Sequence, residues 1–203
     1  EHSHNVVVHT NNRPDIHAGK VLLATNGFYQ DKRLEGLVQP MWSSIVCFDD
    51  PGRDTPNFWQ FAEVYNYLKR TDDVMMFGGE DRVAKTGQLG RYEPRNVPHR
   101  QGSAYPEDLL VAAAQKLMPR FAGREPTERH SGVFSATPDE LPIVGKFNPQ
   151  DRVYFLVCDN GIGHTMLTAG ATLLPAVMGY RTPTPEQERY IKLVSPQRET
   201  LKR

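Results

Sequence analysis

The stretch from Val153 to Tyr180 constrains the fold more than any other part of the chain. Val153 to Cys158 is a nearly continuous apolar run, Asp159-Asn160-Gly161-Ile162-Gly163-His164-Thr165 is a glycine-bearing loop, and Met166 to Tyr180 reads as a helix bent at Pro175. An apolar run without alternation is expected of a strand buried on both faces, so this sheet needs a covering layer on each side. Gly161 and Gly163 carry no side chain, which lets backbone N–H groups approach a planar or anionic ligand closely. The helix that follows aims the positive end of its dipole at the same place. Taken alone the unit is common, and it serves equally well as a plain reversal of the chain. No Gly-Lys-Ser/Thr phosphate loop occurs, so nucleoside triphosphate hydrolysis lacks its usual cradle.

The remaining segments read as mixed α and β structure. Val6 to Thr10 and Val21 to Thr25 are short strands separated by a polar, turn-like stretch from Asn11 to Gly19. The second ends in Thr25-Asn26-Gly27, polar residues at a strand's carboxyl end, where open α/β sheets bind ligands. Ser43 to Phe48 is strand-like. Glu63 to Lys69 alternates, with Tyr65 and Tyr67 on one face, and turns at Thr71-Asp72-Asp73 into Val74 to Phe77, predicting an antiparallel hairpin. Gly78-Gly79 closes that hairpin, and Asp81 to Gly102 reads as a long polar loop. Pro106 to Met118 is a helix by its first-turn Pro106, Glu107 and Asp108 and by the spacing of Leu109, Leu110, Ala113, Ala114 and Leu117. Thr127 to Thr137 and Leu141 to Val144 are strands, and Thr184-Pro185-Glu186-Gln187 is a capping-box pattern opening a last short helix.

Charge narrows the function classes. Lys+Arg and Asp+Glu are 24 each, for a formal net charge of +0, which argues against a surface built to neutralise nucleic-acid phosphates or anionic lipid. No apolar run reaches the roughly 20 residues of a membrane span. Cys47 and Cys158 each sit in an apolar run without a partner at metal-ligand spacing, so they read as buried thiols. His2, His4 and His9 could lie near one another, since alternate strand residues share a face, but no Cys, Asp or Glu completes a ligand pattern. The expectation is therefore no metal. No Gly-x-Ser-x-Gly elbow supports a serine hydrolase. The chain opens at Glu1 with strand-like sequence from Val6, which reads as a processed or truncated polypeptide.

Four segments in order carry a more specific signal. They are Lys20-Val21-Leu22-Leu23-Ala24-Thr25-Asn26-Gly27, then Phe77-Gly78-Gly79-Glu80-Asp81, then Ser131 to Gly145 with Ser135-Ala136-Thr137-Pro138-Asp139-Glu140-Leu141-Pro142 inside it, then Asn160 to Thr165 opening a helix. This order resembles the carboxyl-terminal half of the D-amino-acid oxidase-like (glycine/sarcosine oxidase-like) FAD-dependent oxidoreductases, over about residues 1 to 180. The resemblance implies FAD held at Thr25, Asn26, Gly27, Asn160, Gly161, Ile162, Gly163, His164, Thr165 and Met166. It also implies oxidation of a C–N bond in an amine or amino acid, hydride passing to flavin N5 and then to oxygen. Such enzymes begin with a strand, Gly-x-Gly-x-x-Gly and a helix that hold the FAD pyrophosphate, and this sequence has no such element. A dinucleotide-binding half is then needed, deleted, cleaved or carried by a second chain; the alternative is a noncatalytic remnant or subunit that binds such a partner.

Two departures bear on chemistry. Family members that grip a carboxylate place an Arg where this chain has Phe134, which shifts the expectation towards an amine or a larger substrate with an apolar part. Neither cysteine stands where relatives tether flavin, so FAD is expected to be noncovalent. The fold expectation is α/β (α+β-like): residues 1–40 and 131–180 as FAD-facing elements, 41–130 as an antiparallel substrate domain, and 181–203 as a tail helix. Tyr65, Tyr67 and Phe134 are the candidate pocket walls, and no catalytic residue is singled out.

Overall fold

The computed structural model describes residues 6–28, 31–50, 58–61, 66–83 and 106–202. The chain divides into two compact units, Glu1–Gln39 with Phe134–Arg203, and Pro40–Val133.

In the first unit, β1 (Val6–Val8) and β2 (Ile16–Ala18) form an antiparallel hairpin. β2 falls inside the stretch read from sequence as a turn; a three-residue strand flanked by Asp15 and Gly19 gives no alternation to detect. β3 (Val21–Leu23), β9 (Ile143–Gly145) and β10 (Val153–Val157) make a separate sheet in the order β3-β10-β9. β10 runs parallel to β3 and antiparallel to β9. The unbroken apolar character of β10 has a direct cause: Phe155 and Val157 pack with Leu34, Val38, Ile143, Cys158 and Leu201, while Leu156 packs with Val144, Leu173 and Val194.

The second layer comes from helices α2 (Gly163–Val177) and α3 (Pro185–Val194). α2 begins at Gly163, not Met166, because the glycine takes helical backbone and draws His164, Thr165 and Met166 into its first turn. It approaches the sheet closely at Gly170, where a Cβ would meet Leu156 Cδ1 at 2.8 Å and Val144 Cγ2 at 3.0 Å. α3 carries the capping box expected of Thr184 and Gln187, with both reciprocal hydrogen bonds formed.

The second unit is built on a five-stranded sheet ordered β5-β6-β7-β4-β8. Its strands are β4 (Gln39–Asp49), β5 (Phe58–Phe61), β6 (Asn66–Thr71), β7 (Val74–Val83) and β8 (Glu128–Ala136). β5, β6, β7 and β4 pair antiparallel in turn. Helix α1 (Pro106–Leu117) covers one face. Val46, Phe48, Leu68, Met75 and Phe77 from the strands meet Leu110, Val111, Ala114 and Phe121 there. Phe48 stacks on Phe121 at 4.7 Å, and Phe77 stands edge-on to both.

The hairpin β6–β7 turns at Asp72-Asp73, with Thr71 opposite Val74. Gly78 and Gly79 do not close it. They lie inside β7, which continues to Val83, and they are glycine for space: a side chain at Gly78 would strike the Tyr67 ring, and one at Gly79 would strike Asn66. The remainder of the polar stretch from residue 84 to 102 lies outside the described residues, as does Tyr65. Among the described residues no helix is long and apolar enough to cross a membrane.

Candidate functional site

The first unit gathers its chemistry around one hydroxyl. Ser135, near the end of β8, is completely buried. Its Oγ donates to Asn26 Oδ1 at 2.9 Å and accepts the Cys158 N–H at 3.1 Å. Its own carbonyl accepts the Asn160 N–H at 2.9 Å, and its N–H donates to Asp159 Oδ1 at 3.3 Å. One strand residue thus ties the turn after β3 to the loop after β10. Asn160 extends the tie, its Oδ1 accepting the Thr137 N–H at 2.9 Å.

Three non-glycine residues of this cluster, Asn26, Cys158 and Asn160, have left-handed backbone at φ 51°, 70° and 49°. Asparagine tolerates that region because its short side chain bonds locally; a cysteine there is costly and must be held by its surroundings. Burial pushes the Cys158 thiol up to about 12, so it stays protonated and inert at neutral pH.

The loop leads directly into α2. Gly161 has φ 77° and faces solvent, and a Cβ there would sit 3.7 Å from the Phe134 ring. Gly163 is crowded by Asp159, whose Cβ lies 3.0 Å from the missing side chain. Ile162 stands at the N-cap without any side-chain hydrogen bond, and the first turn has no acidic residue. The Thr165 and Met166 N–H groups both reach the Ile162 carbonyl at 3.0 Å. Those of Gly163 and His164 make no hydrogen bond to the described residues. Two unsatisfied amides at the positive end of a 15-residue helix suit an electron-rich group. Asp159, beside them, has its carboxyl raised by burial, against N–H donors from Gly161 and Ser135 that favour the charged form.

The sequence-predicted residues fall as follows. Thr25 and Phe28 close a turn through a 2.9 Å bond between the Phe28 N–H and the Thr25 carbonyl, with Asn26 half-buried and Gly27 buried inside it. Ser135 brings Asn26 and Asn160 together. Gly161, Ile162, His164 and Thr165 are exposed, while Gly163 and Met166 are partly so. Phe134 is half-buried against Gly161. Tyr67 belongs to the other unit, lying over Gly78, with burial and then the nearby Asp81 raising its hydroxyl.

Three residues of the first unit were not singled out as site residues from the sequence: Ser135 and Asp159, which lie inside its motifs, and Arg198, which lies outside them. The last reaches back from the chain's end to the Thr-Pro-Asp segment. Arg198 grips Asp139 bidentately at 2.6 and 2.8 Å and donates to the carbonyls of Leu141, Pro142 and Ser195. Burial alone raises the Asp139 carboxyl, but hydrogen bonds from Arg198 and Thr200 overturn that and hold it well below the usual carboxylate range.

The fold recurs in known structures. The FAD dependent oxidoreductase family matches residues 1–175. Glycine oxidase from Geobacillus kaustophilus superposes with a TM-score of 0.71 at 14% identity, over 91% of this chain and 47% of that one. Iminodiacetate oxidase from Chelativorans sp. BNC1 gives 0.62 at 19% identity, over 90% and 47%. Amadoriase I, a fructosyl amine:oxygen oxidoreductase from Aspergillus fumigatus, gives 0.65 at 12% identity, over 94% and 45%. No curated protein sequence gives a significant match. The chain spans about half the length of these solved structures. With the family match covering most of its length, the chain belongs to the FAD-dependent oxidoreductase family.

Proposed function

We propose that this chain supplies the carboxyl-terminal part of a flavoenzyme that oxidises a C–N bond in an amine or amino acid. The observation that carries the reading is the Ser135 junction, which fixes the Asn26 turn and the amide-bearing start of α2 as one body. Bound FAD would supply the electron acceptor, taking hydride at N5 and passing electrons to oxygen. On the protein's side, Thr25 to Gly27 and Asn160 to Met166 are the residues proposed to hold it. The Gly163 and His164 N–H groups would face and stabilise negative charge on the ring system, and Gly161 would let the backbone approach it closely. Both thiols are buried, which favours noncovalent binding. The pyrophosphate would be held by a dinucleotide-binding half, on the same polypeptide or on a second chain.

In the same reading residues 41–130 are the substrate-type domain, Tyr67 is a residue of its wall, and Phe134 takes the position where an arginine would grip a carboxylate. An aromatic there offers apolar surface and no charge-assisted bond. The preferred substrate is then an amine with an apolar substituent. The test is anaerobic bleaching of the flavin absorbance of the native protein by a substrate panel, with acid precipitation to release the cofactor. N-alkyl amines are expected to bleach it faster than glycine, with the flavin left in the supernatant. A protein that neither carries nor takes up FAD in the presence of its dinucleotide-binding half would overturn the reading.

A further inference from the structure

The face of the β4–β8 pair opposite α1 carries a group of side chains that the flavin reading does not use. Val46 and Phe48 point into the core beneath α1, so the intervening Cys47 points to the other side of the sheet. On β8 the residues Arg129 and Ser131 reach Asp108 and Glu107 of α1, which leaves Glu128 and His130 on the same side as Cys47. One ligand atom from each of Cys47, Glu128 and His130 lies within 4.8 Å of the other two. His130 Nε2 and Glu128 Oε2 are already 2.6 Å apart.

The backbone fixes this arrangement. The N–H and the hydroxyl of Thr127 both donate to the Cys47 carbonyl, at 2.8 and 3.2 Å. Cys47 is therefore locked beside the residue that precedes Glu128. Cys47 is buried, whereas the side chains of His130 and Glu128 are 60% and 64% exposed. One anchored thiol faces two side chains free to close by rotation about their own bonds. We infer that Cys47, Glu128 and His130 form a binding site for a divalent transition-metal ion of the zinc class, with its fourth position open to solvent.

The donor set selects the metal. A thiolate and an imidazole favour zinc-like ions over magnesium or calcium, and three protein ligands with one open position are a familiar zinc arrangement. Without metal, burial and then the neighbouring Glu128 carboxylate push the Cys47 thiol up; an arriving cation would reverse that balance and release the thiol proton to solvent. Among the described residues β8 is the last strand of its sheet, so the ion would clip it to β4 through side chains as well. The inference is independent of flavin binding. Sequence spacing gave no hint of it, because Cys47 and the Glu128–His130 pair come from strands far apart in the chain.

The test is a Co2+ titration of the metal-stripped full chain, followed by displacement with Zn2+. The expected result is one ion per chain, a thiolate-to-cobalt charge-transfer band and the visible spectrum of tetrahedral cobalt. Cys47→Ser should abolish the charge-transfer band. His130→Gln and Glu128→Gln, at exposed positions that leave the fold intact by circular dichroism, should each weaken binding by at least the roughly 10–100-fold lost with even an outer-shell partner. His9→Gln, a remote exposed histidine, should change nothing. Absence of the band at saturating cobalt, a band that survives Cys47→Ser, or unaltered affinity in the His130 and Glu128 variants would each overturn the site.

Discussion

Removing the Ser135 hydroxyl tests the organisation of the first unit directly. In Ser135→Ala the Cys158 N–H loses its acceptor at a position with no exposure, and Asn26 Oδ1 loses its donor. Stranding a buried donor costs about 1–3 kcal/mol, and the lost neutral hydrogen bond about 1 more, so the variant should be destabilised by about 2–4 kcal/mol. At about 2–4 °C per kcal/mol for a chain of this size, its melting temperature should fall by roughly 5–15 °C. Both tryptophans, Trp42 and Trp59, lie in the second unit, while α2 and α3 lie in the first. With α1 in the second unit, the helical circular-dichroism signal reports mainly, not solely, the affected unit, and tryptophan fluorescence the other. Urea unfolding followed both ways should show the dichroism midpoint falling at least as far as the fluorescence midpoint. Asn26→Ala supplies the second arm of a double-mutant cycle, with an expected coupling of about 0.5–3 kcal/mol. A loss below about 1 kcal/mol together with zero coupling would refute the claim that this hydroxyl joins the turn to the loop.

The tail anchor makes a pH-dependent prediction. Because the folded Asp139 carboxyl is held below its unfolded value of about 3.9, its contribution is present above that pH and fades as pH falls through and below it. Arg198→Met should cost about 3 kcal/mol at neutral pH by leaving the largely buried Asp139 without its cation, held only by the Thr200 hydroxyl and the Leu141 N–H. It should also recover part of that loss on mild acidification, where the wild type does not gain; chemical denaturation across pH 4 to 7 checks this. At the helix–sheet contact, Gly170→Val would drive methyl groups into Leu156 and Val144, with an expected loss of about 1–3 kcal/mol by the same assay.

Much of the fold could be read from the sequence because its signals are local. The burial of β10 on both faces, the helix opened by Pro106, the capping box at Thr184 and the β6–β7 hairpin each declare themselves within a dozen residues. The errors arise where neighbours in space decide. Gly78 and Gly79 read as punctuation, yet their role is to make room for Tyr67 and Asn66 across the sheet. Met166 seemed the natural helix start because Gly161 and Gly163 look like loop, but Gly163 is excluded from bearing a side chain by Asp159 and can still be helical. The site shows the same division. Glycines in a loop advertise close approach, whereas Ser135 is a serine in a strand, a residue too ordinary to single out until Asn26 and Cys158 are seen on either side of it. Arg198 was hidden by distance along the chain from Asp139.

The alternation of β8 draws these observations into one scheme. Its odd-numbered residues hold structure: Arg129 and Ser131 anchor α1 through Asp108 and Glu107, and Ser135 anchors the turn and the loop. Its even-numbered residues are those proposed above for chemistry: Glu128 and His130, close to Cys47, for a metal ion, and Phe134, beside Gly161, for the substrate wall. A strand with a period of two can do both only if neither set drifts by one residue, since a slip would exchange the two faces. Thr127 holds the residue before β8 to Cys47 by two hydrogen bonds, and Ser135 holds the strand's other end to Asn26 and the Cys158 N–H, contacts that a one-residue slip would break.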